Sequence, residues 1–464
     1  MYDIVIIGSG ISSLSFLESF QVKDRKVALI SYNYKNDKNK NGQSNFEINI
    51  KNLPPRFSHD HNELNIVKDY FEKNRIEFDK SLSIFGYLDR GGVSNFWGCS
   101  CQFPAKENIL FLSNDKKEKL VNSFKELYRK FNFTGLFNLQ DKDFIKISKK
   151  YESIFSDIIL KIKNENVTFY ENSIAFDEKK NLKYTPQNYH FEKKQDLIKL
   201  DCFVSKIRSK NNSYAITCLK DNEEKIIESK KVVLATGTLA TTKLICEMLN
   251  YKDDIRVIHN PMLFGVFLLK DKFSQNDDFF PSMLAAEIKD INYSTFSTAN
   301  FRGSNNLIKD KIFRDNYFFN NSIFKKLYDL ICNKFLFVNL YLDNMHSSLY
   351  FNYKNNKSLI FSGKNQNFKK ILSNSFNKIY ESLRSENIIY PIKHKLIPPL
   401  GHDNHYIGTI PINSENKLLS LNEDSELINH EGLYIIDGSA IPHNNLKFPT
   451  GLIIANAYRV GELI

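Results

Sequence analysis

The chain opens on a short run of apolar, mostly β-branched residues, Asp3-Ile4-Val5-Ile6-Ile7, followed at once by Gly8-Ser9-Gly10. A run of that length bounded by glycine predicts a parallel strand buried on both faces. Ile11, Leu14 and Leu17 then recur three apart, with Phe16 and Phe20 close by, which predicts a helix with one apolar face. A second apolar run, Lys26-Val27-Ala28-Leu29-Ile30, completes a strand–turn–helix–strand unit over Tyr2 to Ser31. The pattern returns at Val232-Val233-Leu234-Ala235-Thr236-Gly237, with Thr238 to Leu249 as the next helix and Leu239, Leu244 and Met248 on its apolar side. Shorter alternating runs, Leu197 to Phe203 and Tyr214 to Leu219, predict a β-meander across Lys194 to Ile227.

Elsewhere the periodicity is less regular. Leu120, Phe124, Leu127 and Phe131 mark one amphipathic helix, and Ile154, Ile158 and Ile162 a second. Leu336 to Leu342, Ser347 to Tyr353 and Ser358 to Ser362 predict strands of an antiparallel sheet, with a helix over Asn367 to Glu386. Ile312 to Phe335 interleaves Phe, Tyr and Ile with Lys, and a helix packed on that sheet is preferred to a membrane-surface helix. Gly432 to Ser439 predicts a strand ending in Asp-Gly-Ser. Phe448-Pro449-Thr450-Gly451 introduces a closing helix, Leu452 to Leu463, with proline at its start and threonine as cap.

These elements predict an α/β (α+β) chain: a Rossmann-like nucleotide-binding domain on a parallel sheet, and a substrate domain of antiparallel sheet and helices. The nucleotide-binding domain is expected from residues 1–105, 195–258 and 396–464. Residues 106–194 are read as a helical insertion and 259–395 as the substrate-binding domain.

Composition narrows the function classes. The 464 residues are 42% hydrophobic and 25% charged, enough apolar chain for a substantial core. The net charge of +11 is spread as a Lys-rich bias, without the compact basic and aromatic stretches of a nucleic-acid groove, so no nucleic-acid partner is expected. No window of 18 uncharged apolar residues exists, and no secretory leader precedes the first strand. Six scattered cysteines suggest reduced thiols and a cytoplasmic setting. His59-Asp60-His61 has no further clustered ligands and reads as a solvated loop, so no metal is expected.

The chemistry begins at the first turn. A helix N-terminus offers unpaired N–H groups and partial positive charge to a diphosphate. Gly8 permits the tight turn, and Gly10 lets the backbone approach the phosphate. Ser13 stands where such units carry a third glycine, and Ser31 stands where an acid commonly grips the ribose. Arg90-Gly91-Gly92-Val93-Ser94-Asn95-Phe96-Trp97 is a second turn whose glycines let backbone lie against a flat ring or a phosphate, and it holds the only tryptophan.

Five stretches in order give the chain its resemblance to the glucose–methanol–choline flavoprotein oxidoreductases, nearest the pyranose-oxidase-like branch. They are Gly8-x-Gly10, Gly91-Gly92-Val93-Ser94, Ala235-Thr236-Gly237-Thr238-Leu239, His405-x-x-Gly408-Thr409, and Asp437-Gly438-Ser439 through Pro449-Thr450. The resemblance implies FAD, an alcohol, sugar or polyol derivative as small-molecule substrate, and a separate electron acceptor. It implies cofactor contacts from Gly8, Gly10, Ile11, Ser12, Ser31, Gly91, Gly92, Ser94, Asn95, Ala235, Gly237, Asp437, Gly438, Pro449, Thr450 and Gly451. Asp437 is expected to approach the ribityl or diphosphate segment. Phe96 occupies the position where a branch of the family attaches flavin through histidine, which implies a non-covalent cofactor.

By the same resemblance His405 is the base for the alcohol proton, with His402 as fallback. The family places a second His or Asn just before its last helix. Phe448 stands there, so His443, Asn444 or Asn445 is expected to substitute. That departure leaves two other readings: a flavin-dependent isomerase or mutase without net redox, or a catalytically silent flavin-binding relative.

Overall fold

The computed structural model describes residues 1–32, 61–135, 158, 162, 164–177, 179–189, 196–221, 223–271, 282, 284–290, 295–304, 322–363, 367–443 and 448–464. Strand β1 (Tyr2–Ile7) has Val5 and Ile6 completely enclosed; helix α1 (Ile11–Ser19) follows, and β2 (Val27–Ser31) returns parallel to β1 with Ile4 opposite Val27. Helix α2 (Asn114–Lys130) buries the predicted stripe of Leu120, Phe124 and Leu127. Strand β3 (Leu197–Asp201) then runs parallel to β2, and β4 (Phe203–Lys210), β5 (Ser213–Lys220) and β6 (Glu223–Leu234) form the meander. The upper half of β6 lies parallel to β1, and α3 (Thr238–Leu249) leaves its end.

One sequence expectation is corrected here. Leu197 to Asp201 is an outer parallel strand beside β2 and not the first meander strand. An edge strand with one covered face alternates in the same way as a hairpin strand, so periodicity alone does not distinguish them.

The second sheet is antiparallel throughout. Its order is β11 (Ile389–Leu396), β7 (Met262–Leu269), β10 (Phe335–Leu342), β9 (Thr295–Gly303), β8 (Leu284–Asp290) and then Val167–Glu171. Helix α4 (Phe368–Ser385) covers one face, with Phe376 stacked on Phe267 at 4.9 Å. The strands Leu349–Lys354 and Lys357–Ser362, expected in this sheet, pair instead in a smaller one with Ile255–Val257 and Ile76–Phe78. The 106–194 stretch divides between the two layers, since its strand Val167–Glu171 extends the antiparallel sheet and α2 packs on the last helix. Of the expected 312–335 helix, Ser322–Ile331 is observed and the start lies outside the described residues. The second amphipathic helix, apart from Ile158 and Ile162, also lies outside them. The same holds for His59 and Asp60; His61 begins a helix that runs to Asn74.

The chain then returns to the first sheet. β12 (Leu433–Ile435) pairs parallel with β6, and α5 (Thr450–Leu463) packs lengthwise on α1. Ser19 Oγ donates to Tyr458 O at 2.6 Å across that contact. Among the described residues no helix is long and apolar enough to cross a membrane.

Candidate active site

A cavity of about 530 Å³ runs from the C-terminal ends of the parallel strands to one face of the antiparallel sheet. The end of an open parallel sheet is where α/β proteins bind nucleotides. Gly8 makes the turn at φ +104°, and a Cβ there would lie 2.3 Å from Ala235 O, so the strand ends close together only because it is glycine. Gly10 caps α1 with no side-chain hydrogen bond, leaving the first-turn N–H groups toward the cavity. A Cβ on Gly10 would meet no protein atom nearer than 3.9 Å. Packing therefore does not demand glycine there, and the space suits an approaching diphosphate. Ser13 Oγ donates to Gly8 O at 2.6 Å, tying the helix back to the turn. The Gly91 N–H donates to Ser9 O at 3.1 Å and locks the second glycine turn onto the first.

The third turn is pinned by Asp437. Its carboxylate accepts from Gly237 N at 2.9 Å, Thr241 Oγ1 at 2.5 Å, Ser439 N at 3.0 Å and Ser439 Oγ at 2.7 Å. The side chain thus joins the end of β6 to the end of β12, and it also lines the cavity. At the far side, α5 begins at Thr450 with no side-chain cap, and Thr450 lines the cavity. The open donors of α1 and α5, the uncrowded Gly10 and the Phe96 and Trp97 side chains lining the groove fit a flavin cofactor there.

His405 stands over the other end. Gly408 N donates to Gly438 O at 2.9 Å, Thr238 Oγ1 donates to Tyr406 O at 2.6 Å, and Thr242 Oγ1 donates to Thr409 Oγ1 at 2.7 Å. These bonds fix the segment that carries the imidazole. The His405 ring forms a triangle with Tyr341 at 5.1 Å and Phe448 at 5.3 Å between centroids, those two rings being 5.0 Å apart. Its Nδ1 is 3.9 Å from Asp403 Oδ2, while Asp403 Oδ1 meets His259 Nδ1 at 3.0 Å and Oδ2 accepts from Asn260 N at 2.9 Å. Burial pushes Asp403 up, but His259 and His405 outweigh it and hold the carboxyl at about 2. Burial pushes His405 below its ordinary value, and Asp403 opposes that only in part, so the ring is neutral at neutral pH.

Of the expected cofactor residues, Gly8, Gly10, Ile11, Ser12, Ser31, Gly91, Gly92, Ser94, Ala235, Gly237, Asp437, Gly438 and Thr450 line this cavity. Asn95, Pro449 and Gly451 do not. Asn95 supports the glycine turn by donating from Nδ2 to Arg90 O at 2.8 Å. Gly451 lets α5 pass under the Cys101–Gln102 backbone. Ser31 Oγ pairs with Ser9 Oγ at 2.6 Å. His443 packs edge-on to Phe111 at 5.6 Å and is not among the residues lining the cavity. Asn444 and Asn445 lie outside the described residues. His402 lines the cavity, and its Nδ1 lies 2.9 Å from Ser83 Oγ.

Sequence reasoning missed the wall opposite the cofactor groove. Asn300 and Arg302 from β9, with Asn339 and Tyr341 from β10, line the cavity as well. Polar residues two apart within apolar strands were the signal available. Asp89 was also missed; it lines the groove, and burial raises its carboxyl to about 6.

A parallel sheet of nucleotide-binding type and an antiparallel sheet share one cavity, an arrangement that a solved oxidase structure has as well. Pyridoxine 4-oxidase from Mesorbium loti, a solved structure, matches with a TM-score of 0.64 at 11% identity, over 100% of this chain and 99% of its own. At that identity the likeness is one of fold. No protein-family model matches the chain, and no curated protein matches it in sequence.

Proposed function

We propose that the chain is an FAD-dependent oxidoreductase that oxidises a CH–OH carbon of a small molecule, with His405 as general base. One observation carries the reading: His405 shares a single cavity with Gly10 and Thr450, the residues at the open ends of α1 and α5. Non-covalent FAD would supply the hydride acceptor. The rest falls to the chain. Neutral His405 takes the hydroxyl proton as the carbon loses hydride, and Asp403, 3.9 Å from Nδ1, stabilises the imidazolium that forms. Phe448 has no hydrogen bond to give, so the second contact to the substrate oxygen falls to Tyr341, whose ring also flanks His405. Residues 1–105, 195–258 and 396–464 form the cofactor-binding part and 259–395 the substrate wall. The fold shared with a protein named as an oxidase supports this reading.

The test is the visible spectrum of the purified protein, followed by anaerobic titration with alcohols, sugars and polyols. A yellow protein bleached by at least one of them, and not bleached in His405→Ala, is the expected result. A colourless protein that takes up no FAD overturns the reading. Turnover that needs reduced flavin but consumes no acceptor would replace it with an isomerase.

A further inference from the structure

The antiparallel wall of the cavity carries a guanidinium with no counter-charge among the described residues. Arg302 lies on β9, where Asn300 faces Asn339 across to β10 and Arg302 faces Phe337. Arg302, Asn300, Asn339 and Tyr341 all line the cavity. The Nε of Arg302 is enclosed and has no hydrogen-bond partner. Among the described residues no aspartate or glutamate pairs with it, and the Tyr341 hydroxyl is the one titratable group acting on it. Burial lowers its pKa, yet an arginine keeps its charge at any physiological pH. An uncompensated guanidinium in a largely enclosed site is costly, and an oxyanion that forks onto it removes the cost.

The diphosphate of a bound dinucleotide does not meet that need. Its cradle is the Gly8–Gly10 turn on the parallel sheet, whereas Arg302 belongs to the opposite wall together with Tyr341, the neighbour of His405. We propose that Arg302 anchors an oxyanion carried by the substrate, so that the molecule oxidised here is an alcohol bearing a carboxylate or a phosphate group. This rests on the reading of His405 as base for a CH–OH donor. Asn300 and Asn339, cross-strand neighbours beside the guanidinium, add neutral hydrogen-bonding groups to the same recess.

Trp97, the only tryptophan of the chain, lines the same cavity and reports on its occupancy without turnover. The protein as isolated is titrated with benzoate, inorganic phosphate and neutral benzamide while Trp97 fluorescence is followed. A saturable change with at least one anion and none with benzamide is expected. A response to benzoate alone assigns a carboxylate, and a response to phosphate alone assigns a phosphate. Arg302→Met should weaken that response by about tenfold or more, and Arg302→Lys by less, because a lysine keeps the charge but not the fork. No saturable response to either anion overturns the proposal, as does equal affinity in a folded Arg302→Met. If the Met variant does not fold, the Lys variant decides: weaker binding at an unchanged melting temperature supports the anchor, and unchanged affinity overturns it. Because the readout needs no turnover, anion binding that persists while His405→Ala leaves flavin bleaching unchanged would sink the alcohol reading alone.

Discussion

Nδ1 of His405 lies 3.9 Å from Oδ2 of Asp403, too far for a hydrogen bond and close enough for a strong field. The carboxylate is anchored by His259 on Oδ1 and by the Asn260 and His405 backbone N–H groups on Oδ2, so it faces the imidazole at fixed distance. Burial lowers the His405 pKa and Asp403 pulls it partway back. A base works only when unprotonated, so kcat/KM rises as pH rises through that lowered value. Its acid limb should therefore lie below pH 6.5, the ordinary histidine value. Replacing Asp403 by Asn removes the upward pull and moves the limb further down. His405→Ala should reduce turnover by roughly 10²–10⁴-fold. An acid limb above 6.5 in the wild type contradicts the assignment.

Asp403 also carries a stability prediction. Its carboxyl is held at about 2, below the ordinary 3.8. A group with a depressed folded pKa stabilises the fold above its unfolded value and loses that contribution as pH falls through the folded one. The Asp403→Asn variant should thus be less stable than wild type at neutral pH. The gap should narrow between about pH 4 and pH 2, as read by urea unfolding across that range.

Phe448 is 4% exposed and touches both His405 and Tyr341 with its ring. Phe448→Ala should cost about 3–5 kcal/mol in unfolding free energy, because a buried phenyl leaves a cavity that its neighbours cannot fill. Opening that wall also readmits water to His405. Since burial is the force that lowers the imidazole pKa, the acid limb should move up toward 6.5. A limb that stays in place while stability falls would show that Phe448 packs the core without tuning the base.

The opening strand, turn and helix were legible in the chain because their signals are local: an apolar run, two glycines and a stripe three apart. The same holds for β6, α3 and α5. The antiparallel sheet was not legible over residues 262–303, for a physical reason. Met262 to Leu269 is apolar at nearly every position although only alternate side chains face the interior, so the period of two is invisible. Asp403 and His259 meet across 144 positions, a contact that no spacing rule anticipates. Ser31 looked like a defect for want of an acid, yet it closes a 2.6 Å bond to Ser9 that braces the first glycine turn. His443 sat in the right sequence window, but its ring points into the Phe111 contact.

Gly10 and Gly451 allow the proposed cofactor binding to be tested apart from folding. A methyl group on Gly10 would meet nothing nearer than 3.9 Å, and the residue sits at φ −78°, which alanine adopts freely. A methyl group on Gly451 would fall 2.5 Å from Gln102 O and 2.9 Å from Cys101 O, backbone atoms that cannot swing away. Gly451→Ala should therefore lower the melting temperature by several degrees through a strain of about 1–3 kcal/mol. Gly10→Ala should leave the melting temperature of the cofactor-free protein within about a degree, since it disturbs no packing. It should nonetheless weaken FAD uptake by about tenfold or more, because the methyl intrudes where the diphosphate must approach the α1 N–H groups. Thermal melts of the stripped protein and FAD titration followed by flavin fluorescence read the two effects independently. Unchanged FAD affinity in a folded Gly10→Ala would mean that the first turn does not hold the diphosphate.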